Sequence, residues 1–210
     1  MSNLYKRILT SIFAFPLSIF FIIMGGNYMV SFLCVVLILG NFEIFSVFKR
    51  KLSIIFLDTI LVLSLLSILY LRNDTASSFI LLIWVIILTI SSDIGGYIFG
   101  KTFKWKKLTK ISPKKTISGV FGSYFLSIIC LFIIFESLAP YSQPNFKFFV
   151  ITVIFSTVAQ IGDLTISYFK RLDKIKDTGK ILPGHGGIFD RIDALMFVAI
   201  FALVMHLFGI

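Results

Sequence analysis

Charge is what this sequence has least of. Only 14% of its 210 residues are Asp, Glu, Lys or Arg, against 58% hydrophobic, whereas soluble globular domains carry roughly 25% charged and about 45–50% apolar residues. So little polar side chain cannot cover a water-facing surface, and with a mean hydropathy of +0.99 a soluble globular domain is excluded. Cysteine is also scarce. Cys34 and Cys130 both fall within apolar runs, which argues against a disulfide or zinc framework and reads them as small core hydrophobes. No tandem repeat and no low-complexity tail is present, so the chain reads as one integral membrane domain over 1–210.

What is present are seven apolar runs, at 8–24, 29–48, 52–71, 76–100, 116–138, 148–169 and 192–210. Most approach the roughly 20 residues needed to cross about 30 Å of hydrocarbon. The fold class that follows is all-α: a polytopic transmembrane bundle of about seven spans with two long basic loops. The first run is short and contains Pro16, tolerable in a membrane helix when neighbours satisfy the freed carbonyl. Lys6 and Arg7 precede it as they would a signal peptide, but Gly25-Gly26-Asn27 is no small-x-small cleavage site, so removal is not expected.

A net charge of +10 raises nucleic acid as a partner, and the placement of that charge argues against it. If the spans alternate, the N-terminus, Lys49–Lys51, the 101–115 loop and the 170–191 loop share one side and hold 18 of the 20 Lys and Arg. The positive-inside rule puts that side in the cytoplasm and the C-terminus outside. The expected location is a bacterial inner membrane, with anionic lipid the simplest partner for the charge.

The ten acidic residues are few enough to place singly. Glu43, Asp58, Asp93 and Asp163 lie inside apparent spans, each roughly 9–12 Å along the helix from the nearest Lys or Arg on the basic side. A charge there is costly unless it meets water or a partner, so four on one side imply a polar chamber open to the cytoplasm. For Glu43 and Asp58 the simpler reading, pairing with Lys49–Lys51 at the interface, is preferred. Asp93 opens DIGGYIFG, whose Gly96, Tyr97 and Gly100 give a face small enough for a ligand or another helix. Asp163 shares a helical stripe with Gln160, Ser167 and Lys170, descending into the second loop.

The first loop, KTFKWKKLTKISPKKTISG, has seven lysines from Lys101 to Lys115, interrupted by Phe103 and Trp105 as in a segment at headgroup level. Lys114 and Lys115 stand just before a helix entrance, where ammonium groups and unpaired amides can hold phosphate. The second loop contains LPGHGG, whose glycines let backbone amides approach a ligand around His185. Asp190 and Asp193 close it on one helical face. Intramembrane carboxylates beside cations and glycine-rich backbone suit phosphoryl or nucleotidyl transfer assisted by Mg²⁺, which takes one or two carboxylates plus substrate phosphates.

The stretch SYFKRLDKIKDTGKILPGHGGIFDRID, 167–193, resembles the signature of the phosphatidate cytidylyltransferases, the CDP-diacylglycerol synthases. Ser167, Lys170, Arg171, Lys176, Asp177, Gly179, Leu182, Pro183, His185, Gly186, Gly187, Ile188, Asp190, Arg191, Ile192 and Asp193 each fit its pattern. Upstream, Asp93, SPKKT at 112–116, Gly119 and GDL at 162–164 resemble family segments in the same order, so 91–210 becomes the catalytic region and 1–90 the N-terminal spans. The resemblance implies that CTP and phosphatidic acid, with Mg²⁺, give CDP-diacylglycerol and pyrophosphate for phospholipid biosynthesis. It implies catalytic positions for Asp163, Asp190, Lys176 and Asp177, and metal ligation by Asp163, Asp190 and Asp193. It implies substrate contacts for Lys114, Lys115, Ser167, Lys170, Arg171, His185, Gly186, Gly187 and Arg191. Family members form dimers; the residues here argue neither for nor against a homodimer.

Two departures stand out. Ile166 occupies the place of a Glu common in the family, removing one carboxylate from the inner stripe. The chain is also short for a bacterial member, read as trimmed N-terminal spans. Two rival readings follow: a CTP-dependent lipid kinase, and an inactive lipid-binding relative supported by Ile166 alone.

Overall fold

A computed structural model describes residues 3–138, 144–179, 181 and 186–209. The seven apolar runs fold as seven helices: α1 (Asn3–Met24), α2 (Gly26–Val47), α3 (Lys51–Asn73), α4 (Ala76–Phe103), α5 (Ile117–Leu138), α6 (Phe146–Leu172) and α7 (Phe189–Leu207). Five of them, α2 to α6, are long and apolar enough to cross a membrane. The other two depart from the expected seven for identifiable reasons. α1 carries Lys6 and Arg7 in its first turns and among the described residues is a shorter apolar helix, Ile12–Met24, and α7 carries Asp190, Arg191 and Asp193 in its first two turns. Both nevertheless run alongside the others; at 1.5 Å per residue, α7 is roughly 28 Å long.

Helix ends are set locally. Thr75 caps α4 with a reciprocal pair of bonds: its hydroxyl accepts from the Ser78 amide at 3.1 Å and its own amide donates to Ser78 Oγ at 2.9 Å, satisfying donors a helix start leaves unpaired. Asn145 Oδ1 caps α6 by accepting from the Phe148 amide at 3.3 Å. α4 ends where Lys104 turns left-handed at φ 50°.

α1 lies at the edge against α2, while α7 packs against α3, α4 and α6. Its small Ala194, Ala199 and Ala202 are buried and let neighbours close in. The core joins Leu57 and Leu61 of α3, Leu82, Val85 and Leu88 of α4, Phe155 and Ile166 of α6, and Val198 of α7. The outward faces of α2 to α5 are lined with exposed Ile, Leu, Val and Phe, which in water would be an aggregation surface and in lipid is the expected contact. Cys34 is on this exterior rather than in the core; Cys130 is half-buried, and both are free thiols.

The small face after Asp93 receives a helix. A Cβ on Gly95 would lie 2.2 Å from the Gly122 carbonyl oxygen, and one on Gly119 2.9 Å from that of Gly96. α4 and α5 therefore touch backbone to backbone, as small residues permit in membranes.

Contacts at the two ends fix how the helices alternate. At one end Arg72 Nη2 donates to the Ile23 carbonyl at 2.6 Å, its guanidinium lies 4.3 Å from the Phe79 ring centroid, and His206 Nε2 sits 2.8 Å from Asp74 Oδ2. His206 thus ties the end of α7 to the end of α3. At the other end lie the α2–α3 elbow and both basic loops.

Candidate active site

The first basic segment is a tight hairpin, not a loose loop. Lys107 and Thr116 form an antiparallel bridge, the Leu108 amide donates to the Lys115 carbonyl at 2.9 Å, and Ile117 to that of Lys106 at 3.0 Å. This brace aims Lys115 inward: its Nζ lies 2.7 Å from Asp163 Oδ2 and 3.4 Å from the Gln160 carbonyl. Lys114 is exposed. Arg171, at the foot of α6, donates to the carbonyls of Ile111 at 3.3 Å and Ile175 at 2.7 Å, joining the two basic loops.

The polar stripe of α6 is a chain of contacts. Ser167 Oγ is 3.4 Å from Asp163 Oδ1, and one turn below, Lys170 Nζ is 2.8 Å from Asp190 Oδ1. Farther into the bilayer the stripe continues through Gln160, Ser156 and Ser92, whose hydroxyls are 2.9 Å apart. Ser123 of α5 donates to the Ser92 carbonyl at 2.7 Å.

Asp190 stands in the first turn of α7, ahead of the apolar run that begins at Ile192. Its Oδ2 accepts from the backbone amides of Thr178 at 2.8 Å and Gly187 at 3.3 Å. Burial by itself would raise this carboxyl. The Lys170 ammonium and the bonds from Lys170 and Thr178 outweigh that and hold it below the ordinary carboxylate value. Asp193, one turn on, accepts from the Ala194 amide at 2.9 Å and lies within electrostatic reach of Asp163, Lys170 and Asp93. Asp93 faces the same field of Asp163, Lys115 and Arg191. Lys176, Asp177 and Arg191 are exposed around the mouth, Gly186 is half-buried, and Gly187 is buried. Lys180, Leu182, Pro183 and His185 lie outside the described residues.

Among the described residues no three His, Cys, Asp or Glu side chains converge tightly enough to hold an ion alone. Asp163 on α6 and Asp193 on α7 lie within electrostatic reach of one another; Asp163 also holds Ser167 and Lys115, as Asp190 holds Lys170 and the Thr178 amide. Two carboxylates suit a Mg²⁺ ion whose remaining ligands are phosphates and water; the residues fit a cation shared with a bound triphosphate, not a closed cage.

Comparison with known proteins bears on this arrangement. The model of the cytidylyltransferase family matches residues 50–208. The phosphatidate cytidylyltransferase of Rickettsia conorii is 31% identical over 217 aligned residues, 99% of this chain and 93% of that protein. This chain belongs to the cytidylyltransferase family. Other cytidylyltransferases match over less of their length. Phosphatidate cytidylyltransferase of Rickettsia typhi is 39% identical over 141 residues, 63% of this chain and 60% of that protein. That of Bacillus subtilis is 42% identical over 109 residues, 51% of this chain and 40% of that protein.

Two residues of this end of the bundle, Asp173 and Thr178, escaped the sequence reading, and the partners of a third, Glu43, are not those expected. Neither Glu43 nor Asp58 pairs with Lys49–Lys51: Asp58 is half-buried and makes no ion pair among the described residues, and Glu43 turns into the signature loop. There its Oε1 accepts from the Ile188 amide and its Oε2 from the Phe189 amide, both at 3.0 Å. Asp173, its side chain only 2% exposed, accepts from the Arg50 amide at 3.2 Å. Thr178 is fully buried between Glu43 and Asp190. The available signal was the general one, that an acid inside a span has a partner; nothing in the local sequence names a partner more than a hundred residues away.

Proposed function

We infer that this protein is an integral membrane phosphatidate cytidylyltransferase, transferring the cytidylyl group of CTP to phosphatidic acid. The observation that carries the reading is the convergence of Lys115 with Asp163 and of Lys170 with Asp190 at one end of the bundle, in a chain of the cytidylyltransferase family. An oxygen of the phosphatidate phosphate attacks the α-phosphorus of CTP, a new P–O bond forms, the α–β anhydride bond breaks, and pyrophosphate leaves. Such an in-line displacement requires positioning and charge neutralisation more than covalent chemistry. A Mg²⁺ ion, when bound, would neutralise phosphate charge and polarise the α-phosphoryl group. Asp163 and Asp193, with Asp190 beside them, are the residues we assign to hold it.

Lys115, with exposed Lys114, Lys176 and Arg191 around the mouth, supplies the cationic rim for the two phosphate-bearing substrates. Asp190 keeps the signature loop closed onto α7, and Lys170 neutralises it. Partly open Lys115 and Asp163 give a phosphatidate headgroup a polar foothold at a depth where its acyl chains remain in lipid. The charge split orients the site to the cytoplasm of a bacterial cell, with the C-terminus outside.

The test uses the purified full chain in detergent with phosphatidate, labelled CTP and Mg²⁺, following CDP-diacylglycerol and pyrophosphate together. Equal amounts of both, abolished by chelation and restored by Mg²⁺, are expected. Release of CDP with a phosphorylated lipid would mean a kinase. Binding of phosphatidate without turnover would mean an inactive relative.

A further inference from the structure

The signature loop is held from two sides, and one of the holders lies outside the family match. Residues 50–208 match the family; Glu43 precedes them, on α2. It is 1% exposed, on the buried face that also carries Gly40 and Ile44. Its Oε1 accepts from the Ile188 amide at 3.0 Å, and its Oε2 from the Phe189 amide at 3.0 Å and the Thr178 hydroxyl at 3.5 Å. These amides open α7, where a helix leaves its first donors unpaired and favours a negative charge. Across the same loop, Asp190 Oδ2 accepts from the amides of Thr178 and Gly187. Thr178 is thus gripped by both carboxylates, Glu43 through its hydroxyl and Asp190 through its amide.

The glycines of the loop fit this side chain. The three atoms nearest a Cβ on Gly179 would all be Glu43's, with Oε1 at 2.6 Å, Cδ at 2.8 Å and Cγ at 3.0 Å. A Cβ on Gly187 would lie 2.5 Å from Oε2. The α2–α3 elbow adds a second clasp, where the Arg50 amide donates to Asp173 at the end of α6.

We propose that Glu43 is a positioning residue for cytidylyl transfer: from α2 it fastens the two ends of the 178–189 loop together and sets the first turn of α7. It touches no substrate; it acts by holding the turn that carries Asp190, Arg191 and Asp193. The kinetic part of this rests on the cytidylyltransferase reading above.

Glu43→Gln retains size and one acceptor but turns an amide donor toward a backbone N–H. It should raise amide hydrogen exchange in peptides covering 176–193 by at least about tenfold, while peptides of α4 and α5 exchange as in wild type. In the same preparation kcat/KM for CTP should fall at least about tenfold, a barrier change of about 1.4 kcal/mol, with Glu43→Asp recovering part of it. Gly179→Ala should cost about as much in the wild-type background, yet add less than about twofold in Glu43→Ala, because the atoms nearest its Cβ belong to that side chain.

Unchanged exchange in 176–193, or a rise spread over the whole bundle, would overturn the assignment. So would Gly179→Ala being equally costly in both backgrounds. Should the wild-type chain make no CDP-diacylglycerol, the cytidylyltransferase reading fails, and the exchange experiment still decides whether Glu43 holds the loop.

Discussion

Lys115 Nζ lies 2.7 Å from Asp163 Oδ2, joining a braced hairpin between α4 and α5 to the middle of α6. Asp163 is about 13 Å from the basic-loop end of its helix, so the lysine carries charge well into the bundle. Both groups are partly open, at 24% and 30% exposure, which leaves room for an incoming phosphate to share the ammonium. Lys115→Met and Asp163→Asn should each lower turnover about 10²-fold, or about 2.7 kcal/mol. Residues acting as one unit are not additive, so the double variant should be little worse than the poorer single one. Initial rates of CDP-diacylglycerol formation measure this; losses that multiply would mean two independent roles.

The Lys170–Asp190 pair is more deeply buried, at 10% and 9% side-chain exposure. Removing one partner leaves a charge without compensation, typically costing about 3–5 kcal/mol. Lys170→Met should therefore lower the thermal transition in detergent sharply. Lys170→Met with Asp190→Leu should recover part of that stability without recovering activity. Equal stability of the single variant and wild type would show the pair to be dispensable for folding.

The same pair has a sign in pH. Because the Asp190 carboxyl is held below its ordinary value, its stabilising contribution is complete above the unfolded-state value and is lost as pH falls through the folded-state one. Thermal stability followed downward through the acid range should drop in wild type, and that drop should shrink in Asp190→Asn.

Ile166 offers a check on the missing family carboxylate. It is fully buried in the core of α3, α4, α6 and α7, and no cation in the described contacts faces it. Ile166→Glu should destabilise by several kcal/mol, as an unpaired buried charge does, and should not increase turnover. A more active, equally stable variant would instead mean that the site lacks an acid.

The α4–α5 contact makes a purely steric prediction. Gly122→Leu would force a side chain where Phe99 and the Gly95 carbonyl already stand, with even its Cβ 2.3 Å from Phe99 Cβ. Spreading these helices displaces the hairpin that carries Lys115. Activity should fall with KM for phosphatidate or CTP rising, and a Gly122→Ala variant should be intermediate.

Much of this was already legible in one dimension. Hydropathy alone locates all seven helices to within a few residues, because crossing hydrocarbon demands about 20 apolar residues and leaves few alternatives. The stripe Asp163–Ser167–Lys170 also follows from helical spacing, since i and i+4 share a face whatever surrounds them. Partnership is different. Sequence places Glu43 near Lys49–Lys51, yet the carboxylate turns to Ile188 and Phe189, because the unpaired amides of α7 come within reach once α2, α3 and α7 pack. Likewise the small face after Asp93 receives α5, and Cys34 faces outward, because helix rotation is set by packing against neighbours rather than by apolar content. Local periodicity determined the elements and the side on which the charge lies; the long-range pairing of carboxylates with backbone and lysine was decided only when the helices came together.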